Sequence, residues 1–526
     1  MNKIITSSLL LALTLLSNLV SASEQPPNIV VIFTDDQSYT AMGAMGNSEI
    51  KTPNMDQLAA DGVMFKRHYN NTSICMASRA TLMTGLLEYK HGTNFHHGSM
   101  SQDIFAQSYP VLLKKAGYYT GFAGKFGFPV TKQAMSSIKH NTYDKLPVNE
   151  FDNWAGGTDQ TKYLTKDNKY IAKYAANNPH STQAYAAWAK DFISQAKASG
   201  KPFNMSLYFK APHLPSKPDP AFDDVFKDAV FSKPENFGQQ AGKHLAKQAK
   251  LGRQYLSYNK KYKLFTDYNE VKRNYYQLLY GVDVALGKVR AELEKQGVAD
   301  NTVIIFTSDN GYSQGAHGLS GKTLPYEEST RVPLVIYDPR VKKQGLVSSA
   351  LTAGVDLTAT IFDLANVAAP SNIDGTSLLP LLDNPESKVR DSVTLIQTYG
   401  SAATHSLAVI YNDWKYIYWP FQEDNLLAGE ELFHLSKDSL EMQNVANNPE
   451  NKQQLQQLKN VYDQAVIKWQ EQSLAVNEYS QYGQIFSRHV DWQTKRPLYT
   501  KAAMGSYQKE INPKPKKKKK PKKDKS

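Results

Sequence analysis

A chain of 526 residues with 41% hydrophobic and 21% charged side chains has ample apolar material for a large folded core, which excludes a wholly disordered protein. Its single cysteine excludes an intramolecular disulfide framework, and no stretch approaches the ~20 uninterrupted apolar residues of a membrane-spanning helix. The net charge of +12 does not mark a nucleic-acid binder: residues 514–526 hold nine lysines and one aspartate, and without these and the one lysine of the N-terminal leader the body carries 51 basic and 48 acidic side chains.

The leader consists of Lys3, an apolar run from Leu9 to Leu16 and the small residues Val20-Ser21-Ala22-Ser23. This is the pattern of a secretory signal peptide, and it predicts an exported bacterial protein, periplasmic or secreted. Asn28 to Thr34 is a continuous apolar, β-branched run ending in Asp35-Asp36, as expected of a strand buried on both faces of a parallel sheet. Pro53 to Asp61 carries Met55, Leu58 and Ala59 at helical spacing. A helix over Cys75 to Gly85 places Cys75 and Arg79 on one face near its N-terminus, where unpaired amides and the helix dipole suit an anion.

Tyr109 to Ala116 reads as a helix and Tyr118 to Ala123 as a strand ending in Gly124-Lys125. Phe203 to Phe209 is a further strand, ending in Lys210-Ala211-Pro212-His213; Tyr275 to Gln296 is a helix; and Asn301 to Thr307 is a strand ending in Ser308-Asp309-Asn310-Gly311. The alternation predicts an α/β fold with a large, mostly parallel sheet sandwiched by helices. Residues 130–200 and 214–270, polar and weakly periodic, read as insertions above the site. Ser406 to Ile410, Trp414 to Trp419 and Glu431 to Leu435 read as antiparallel strands and Asn451 to Gln470 as an amphipathic helix. The expected organisation is a signal peptide over 1–23, a catalytic domain over 24–385, a small α+β subdomain over 386–505 and a disordered Lys-rich tail over 506–526.

Four strands thus deliver polar residues at their C-terminal ends, where open α/β sheets build sites. Asp35, Asp36, Asp309 and Asn310 form a hard-oxygen set suited to calcium or magnesium and not to zinc.

The stretch Cys75-Met76-Ala77-Ser78-Arg79, followed by Thr84-Gly85, resembles the signature of the type I sulfatases of the alkaline phosphatase superfamily, Cys-x-(Pro/Ala)-x-Arg with a Thr-Gly beyond. Gly124-Lys125, Ala211-Pro212-His213, His317 to Lys322, Tyr326-Glu327-Glu328 and Arg331-Val332-Pro333 are similar to further elements of that family and occur in its order. The resemblance implies an alkaline phosphatase-like fold. It also implies conversion of Cys75 to formylglycine (3-oxoalanine) by a formylglycine-generating or anaerobic maturase enzyme. Ca2+ would be held by Asp35, Asp36, Cys75, Asp309 and Asn310. Catalytic roles fall to Cys75, Arg79, Lys125, His213 and Lys322, and substrate contacts to Lys125, His213, His317 and Lys322, with His213 giving a proton to the leaving alcohol.

The implied activity is hydrolysis of a sulfuric ester. The polar insertions, the 31 tyrosines and the lysine tail point to a sulfated carbohydrate, such as the marine algal polysaccharide carrageenan or its oligosaccharides. The alternatives are a phosphonate or phosphate ester hydrolase of the same superfamily, and a non-catalytic sulfated-polysaccharide-binding protein that keeps its thiol. One position departs from the family pattern: where Gly-Lys-x-His is common, this chain has Gly127. His317, His68, His96 and His97 are the candidates to replace that histidine.

Overall fold

The computed structural model describes residues 26–136, 145–157, 159–260, 267–423 and 425–512; the expected signal peptide and the lysine run beyond 513 lie outside the described residues. The strongest apolar runs form the centre of the sheet. Among the described residues its strands are β1 (Asn28–Asp35), β2 (Val63–Tyr69), β3 (Tyr119–Lys125), β4 (Asn153–Gly157), β5 (Phe203–Pro212), β6 (Thr302–Ser308), β7 (Leu334–Tyr337) and β8 (Leu346–Ala353). Their spatial order is β8-β2-β7-β6-β1-β5-β3-β4. All pairings are parallel except those of β7, which runs against both β2 and β6.

β1 shows why its run is unbroken. Ile29, Val31 and Phe33 enter one hydrophobic core with Met76, Ala80 and Met83 of α2 (Cys75–Thr84) and with Leu113, Leu357 and Ile361. Val30 and Ile32 enter the opposite core with Met55 and Leu58 of α1 (Pro53–Asp61) and with Leu278, Val282 and Leu286. Successive side chains alternate faces, so a strand covered by helices on both sides must be apolar throughout. Each such side chain contributes about 1.5–3 kcal/mol on burial.

Three departures from the sequence reading have a physical cause. Residues 130–200 are not all insertion: they supply edge strand β4 and the helix α3 (Ser181–Ser199), whose Ala184, Trp188, Phe192 and Ala196 lie in the second core. Its apolar stripe is built largely of alanine between lysines and polar residues, which hides the period. The helix expected from Tyr275 begins earlier, as α4 (Tyr268–Lys295), because Asp267 caps it by accepting from Asn269 N–H. β2, β7 and β8 are short or partly polar strands whose pairing with stronger neighbours defines them.

The C-terminal unit is a four-stranded antiparallel sheet of β9 (Ser392–Gln397), β10 (Ser406–Tyr411), β11 (Trp414–Trp419) and β12 (Gly429–His434) in that order. Helix α5 (Lys452–Gln472) covers one face with Leu458, Tyr462, Val466 and Trp469. Lys415 of β11 ties this sheet to the larger one through Glu327 and Glu441, each 2.7 Å from its Nζ and all three buried. The boundary expected at 506 falls inside helix α6 (Lys501–Ile511): Ala503 and Tyr507 are buried, and the Tyr507 ring lies 4.8 Å from that of Phe421. Residues 506–511 therefore belong to the subdomain. No helix among the described residues is long and apolar enough to cross a membrane.

Candidate active site

β1 and β6 run in register, Thr34 beside Ser308, so their C-terminal ends bring Asp35-Asp36 against Asp309-Asn310. Asp36 adopts a left-handed conformation with φ 74°, which turns the chain out of the sheet. Its amide donates to Asp309 Oδ1 at 3.0 Å, and Asn310 Nδ2 donates to Asp36 Oδ1 at 2.7 Å. Tyr275 of α4 fixes the turn from behind, its hydroxyl donating to the Asp36 carbonyl at 2.7 Å. Asp35 Oδ1 and Asn310 Oδ1 remain buried without a hydrogen-bond donor.

Helix α2 starts at Cys75, after an extended Ile74, and stops where Gly85 takes the left-handed conformation and its N–H bonds the Thr81 carbonyl at 2.8 Å. All of its residues are buried. The N-terminus faces the carboxylates: ligand atoms of Asp35, Cys75 and Asp309 lie within 4.8 Å of one another. Three carboxylates and an amide oxygen, two of their oxygens orphaned, fit a hard divalent cation, and the soft sulfur of Cys75 is the one donor out of character.

One turn along, Arg79 is completely buried. Its Nε and Nη2 both lie 3.0 Å from Asp309 Oδ2, its Nη1 donates to the Lys125 carbonyl at 2.5 Å, and its guanidinium lies 5.3 Å from the Phe33 ring and 5.6 Å from that of Tyr208. Arg79, expected as a catalytic residue, thus sits on Asp309 and the Lys125 carbonyl, outside the residues that line the cavity. Lys125 is also fully buried, with Nζ 2.5 Å from Asp35 Oδ2 and 2.7 Å from Gln160 Oε1. It lies under the floor of the site, and its direct target is Asp35.

Cys75, His213 and Lys322 do line an open cavity of about 910 Å³, together with Asp36, Gln160, His96 and Tyr399. Lys322 Nζ bonds Asp36 Oδ1 and lies 3.9 Å from Asp35 Oδ1. His213, just past the end of β5, donates from Nδ1 to the Leu214 carbonyl at 2.5 Å and presents Nε2 3.9 Å from Asp36 Oδ2.

The charges are strongly coupled to burial. Burial acts to raise the Asp35 carboxyl, but the positive groups of Lys125, His213, Arg79 and Lys322 outweigh it and hold Asp35 well below the usual carboxylate range. Asp309 goes the other way, pushed up to about 7 by burial and by the charge of Asp35. Burial opposes the Lys322 ammonium, yet Asp36 in particular raises it well above its ordinary value. His213 is lowered to about 4 by burial, against the pull of Asp35 and Asp36.

His317 does not join this group, and its expected substrate contact is corrected. It is fully buried, with Nε2 3.2 Å from Asn236 Nδ2 and 3.9 Å from Glu328 Oε2, packed beside Tyr326. Its backbone holds the loop that carries Lys322, and its ring points into the protein. His68 and His97 are buried as well, against Thr352 Oγ1 at 3.0 Å and against the carbonyls of Asn477 and Thr398 at 3.1 and 3.2 Å. Of the four candidate histidines, His96 alone lines the cavity, its Nδ1 accepting from the Gly400 amide at 3.4 Å and its ring 4.6 Å from that of Tyr399.

Sequence reasoning missed Gln160, which receives Lys125 on its side chain and Lys210 Nζ on its carbonyl at 2.9 Å. It also missed Tyr399, Arg253 and Glu510. None sits at a strand end or in a recognisable motif; only the folded loops bring them in.

The family described as "Sulfatase" matches residues 27–367, and "N-sulphoglucosamine sulphohydrolase, C-terminal" matches residues 315–468. An N-acetylglucosamine-6-O-sulfatase of Bacteroides thetaiotaomicron is 28% identical, over 84% of this chain and 87% of that protein. The solved structure of BT4656 in complex with its substrate D-glucosamine-2-N,6-O-disulfate superposes with a TM-score of 0.69 at 26% identity, over 85% of this chain and 98% of the other. A phosphonate monoester hydrolase of Agrobacterium radiobacter shares the fold, with a TM-score of 0.68 at 22% identity over 85% and 96% of the two chains. With the signature helix, the carboxylate pairs and the family match over most of the larger domain in agreement, the chain belongs to the sulfatase family of the alkaline phosphatase superfamily.

Proposed function

We propose that the protein hydrolyses sulfate esters on a sulfated carbohydrate, outside the cytoplasm of a bacterium. The observation that carries this reading is the convergence of Cys75, His213, Lys322 and Asp36 on one cavity, with Asp35 and Asp309 beside Cys75 and Asn310 bonded to Asp36. Asp35, Asp36, Asp309 and Asn310 would hold Ca2+, which polarises a sulfate oxygen when bound. Cys75 would be converted to formylglycine by a maturing enzyme before folding buries it; the hydrated aldehyde supplies a hydroxyl nucleophile and a hard oxygen where the thiol has neither.

The chain's own groups divide the remaining work. Lys322 and the N-terminus of α2 place positive charge where the sulfate group must sit. Arg79 and Lys125 hold Asp309 and Asp35 in position from below. His213, with Nδ1 committed to the Leu214 carbonyl, has Nε2 free to carry a proton at the ester oxygen of the leaving alcohol. His96, across the cavity, takes the place of the histidine absent at Gly127 and moves a proton during regeneration of the site. The cavity volume of about 910 Å³ accommodates a saccharide as well as the sulfate group. The leader read from Lys3, Leu9 to Leu16 and Ala22 supports export.

The test is parallel measurement of inorganic sulfate release from nitrophenyl sulfate, glucosamine 6-sulfate and carrageenan oligosaccharides and of nitrophenol release from a nitrophenyl phosphonate. Sulfate release at rates well above phosphonate hydrolysis supports the proposal. Faster phosphonate turnover makes the protein a phosphonate hydrolase, and tight sulfated-sugar binding without turnover makes it a binding protein.

A further inference from the structure

The cavity is lined by more than the sulfate pocket: Arg253, Gln254, Ser257, Phe95, Tyr399 and Glu510 of α6 line it as well. Tyr399 is the centre of an aromatic surface, its ring 4.6 Å from His96 and 5.7 Å from Phe95.

Arg253 is exposed in this cavity, and among the described residues its guanidinium has no ion pair or hydrogen bond. The cations of the catalytic end are all spent on carboxylates: Arg79 on Asp309, Lys125 on Asp35, Lys322 on Asp36. Arg253 is not. Glu510 is the acidic neighbour: it lines the same cavity and feels the charge of Arg253, without forming an ion pair with it. Lys322 and Arg253 line one and the same cavity, so one oligosaccharide can touch both cations.

We propose that Arg253 anchors a second anionic subsite, which takes a non-scissile sulfate or carboxylate on the same sugar chain while the sugar ring lies along Tyr399. A guanidinium without an ion pair that shares a cavity with an aromatic surface matches a planar or tetrahedral oxyanion on an amphipathic ring. The preferred substrate is then a saccharide with at least two anionic groups. This inference rests on the carbohydrate sulfatase reading for its substrate class, though not on turnover.

The experiment measures calorimetric affinities of the Cys75→Ala protein for pairs that differ by one anionic group. The pairs are N-acetyl-D-glucosamine 6-sulfate against D-glucosamine-2-N,6-O-disulfate, monosulfated against disulfated neocarrabiose, and N-acetylgalactosamine 6-sulfate alone against the same sugar linked to a uronate. On at least one pair the more anionic member binds tighter by about ten- to a hundredfold, the range of a charge-assisted hydrogen bond. Adding Arg253→Ala brings the ratio close to one, and Arg253→Lys retains part of it. The sulfate pairs against the uronate pair show which anion the subsite takes. No charge preference on any pair, a preference that survives Arg253→Ala, or equal weakening of both members overturns the proposal. If the preference follows Arg253 but the wild-type protein releases no sulfate from any probe, the subsite stands and the hydrolase reading falls.

Discussion

A β-carbon on Gly127 would lie 2.6 Å from Cδ of Arg79, and Gly127 has φ 92°. The residue that departs from the family pattern is therefore matched to the arginine that holds Asp309. A histidine here has no room unless the buried Arg79 side chain shifts, and the backbone conformation disfavours any side chain.

Gly127→His should accordingly fail as a restoration. Strain at the left-handed position alone costs about 1–3 kcal/mol, and displacing Arg79 adds to it. Denaturant unfolding and sulfate release, measured on one preparation, check this: lower stability with lower activity is expected, and a stable, faster variant contradicts the packing argument.

Arg79→Lys keeps the charge but not the fork. A single ammonium cannot reach Asp309 Oδ2 and the Lys125 carbonyl in the way the guanidinium does. Breaking a buried pair costs about 3–5 kcal/mol, so equilibrium unfolding should show Arg79→Ala destabilised by that order and Arg79→Lys by a smaller but clear amount. Near-native stability in both would mean that Asp309 is held by other groups.

The parts of the site that were legible in the sequence are those where one strand end or one helix start fixes both backbone and chemistry. Asp35, Asp36, Asp309 and Asn310 follow directly from two unbroken apolar runs, and Cys75 from a helix that Gly85 ends. The sequence could not reveal which way a long side chain turns. Arg79 read as a catalytic residue and Lys125 as a catalytic residue and substrate ligand, yet burial drew both onto carboxylates. His317 lies close in sequence to Lys322, but the loop between them points one inward and the other into the cavity. Helix α3 escaped notice because alanines bury as well as leucines when a helix must sit close to a sheet.

Acid should unfold the protein in a defined window. His68 and His91 are lowered to about 3 and His97 to about 4, in each case first by burial. Each is neutral when folded and takes a proton when unfolded below its ordinary value near 6.5. Their stabilising effect is complete above that value and is lost as pH falls toward the folded values. Between about pH 7.5 and about pH 5.5 the three together should cost on the order of 4 kcal/mol, measurable by urea unfolding. Unchanged stability over that interval would contradict the neutral, buried state of these rings.

His213→Ala should affect substrates according to their leaving groups. General-acid assistance is typically worth ~10²–10⁴-fold, and it matters for a sugar alcohol far more than for an acidic nitrophenol. Ratios of kcat/KM on glucosamine 6-sulfate and nitrophenyl sulfate, wild type against variant, measure the difference. Equal losses on the two would make His213 a binding group only.

The most direct test of the central claim, a sulfate ester hydrolase acting through a modified Cys75, is the mass of the tryptic peptide from His68 to Arg79 in active protein from the native host. The account predicts a peptide about 18 Da lighter than the cysteine form, the difference between a CH2SH and a CHO side chain. It also predicts that the lighter fraction tracks the rate of sulfate release between preparations. A fully unmodified thiol in protein that releases sulfate at full rate would contradict the account.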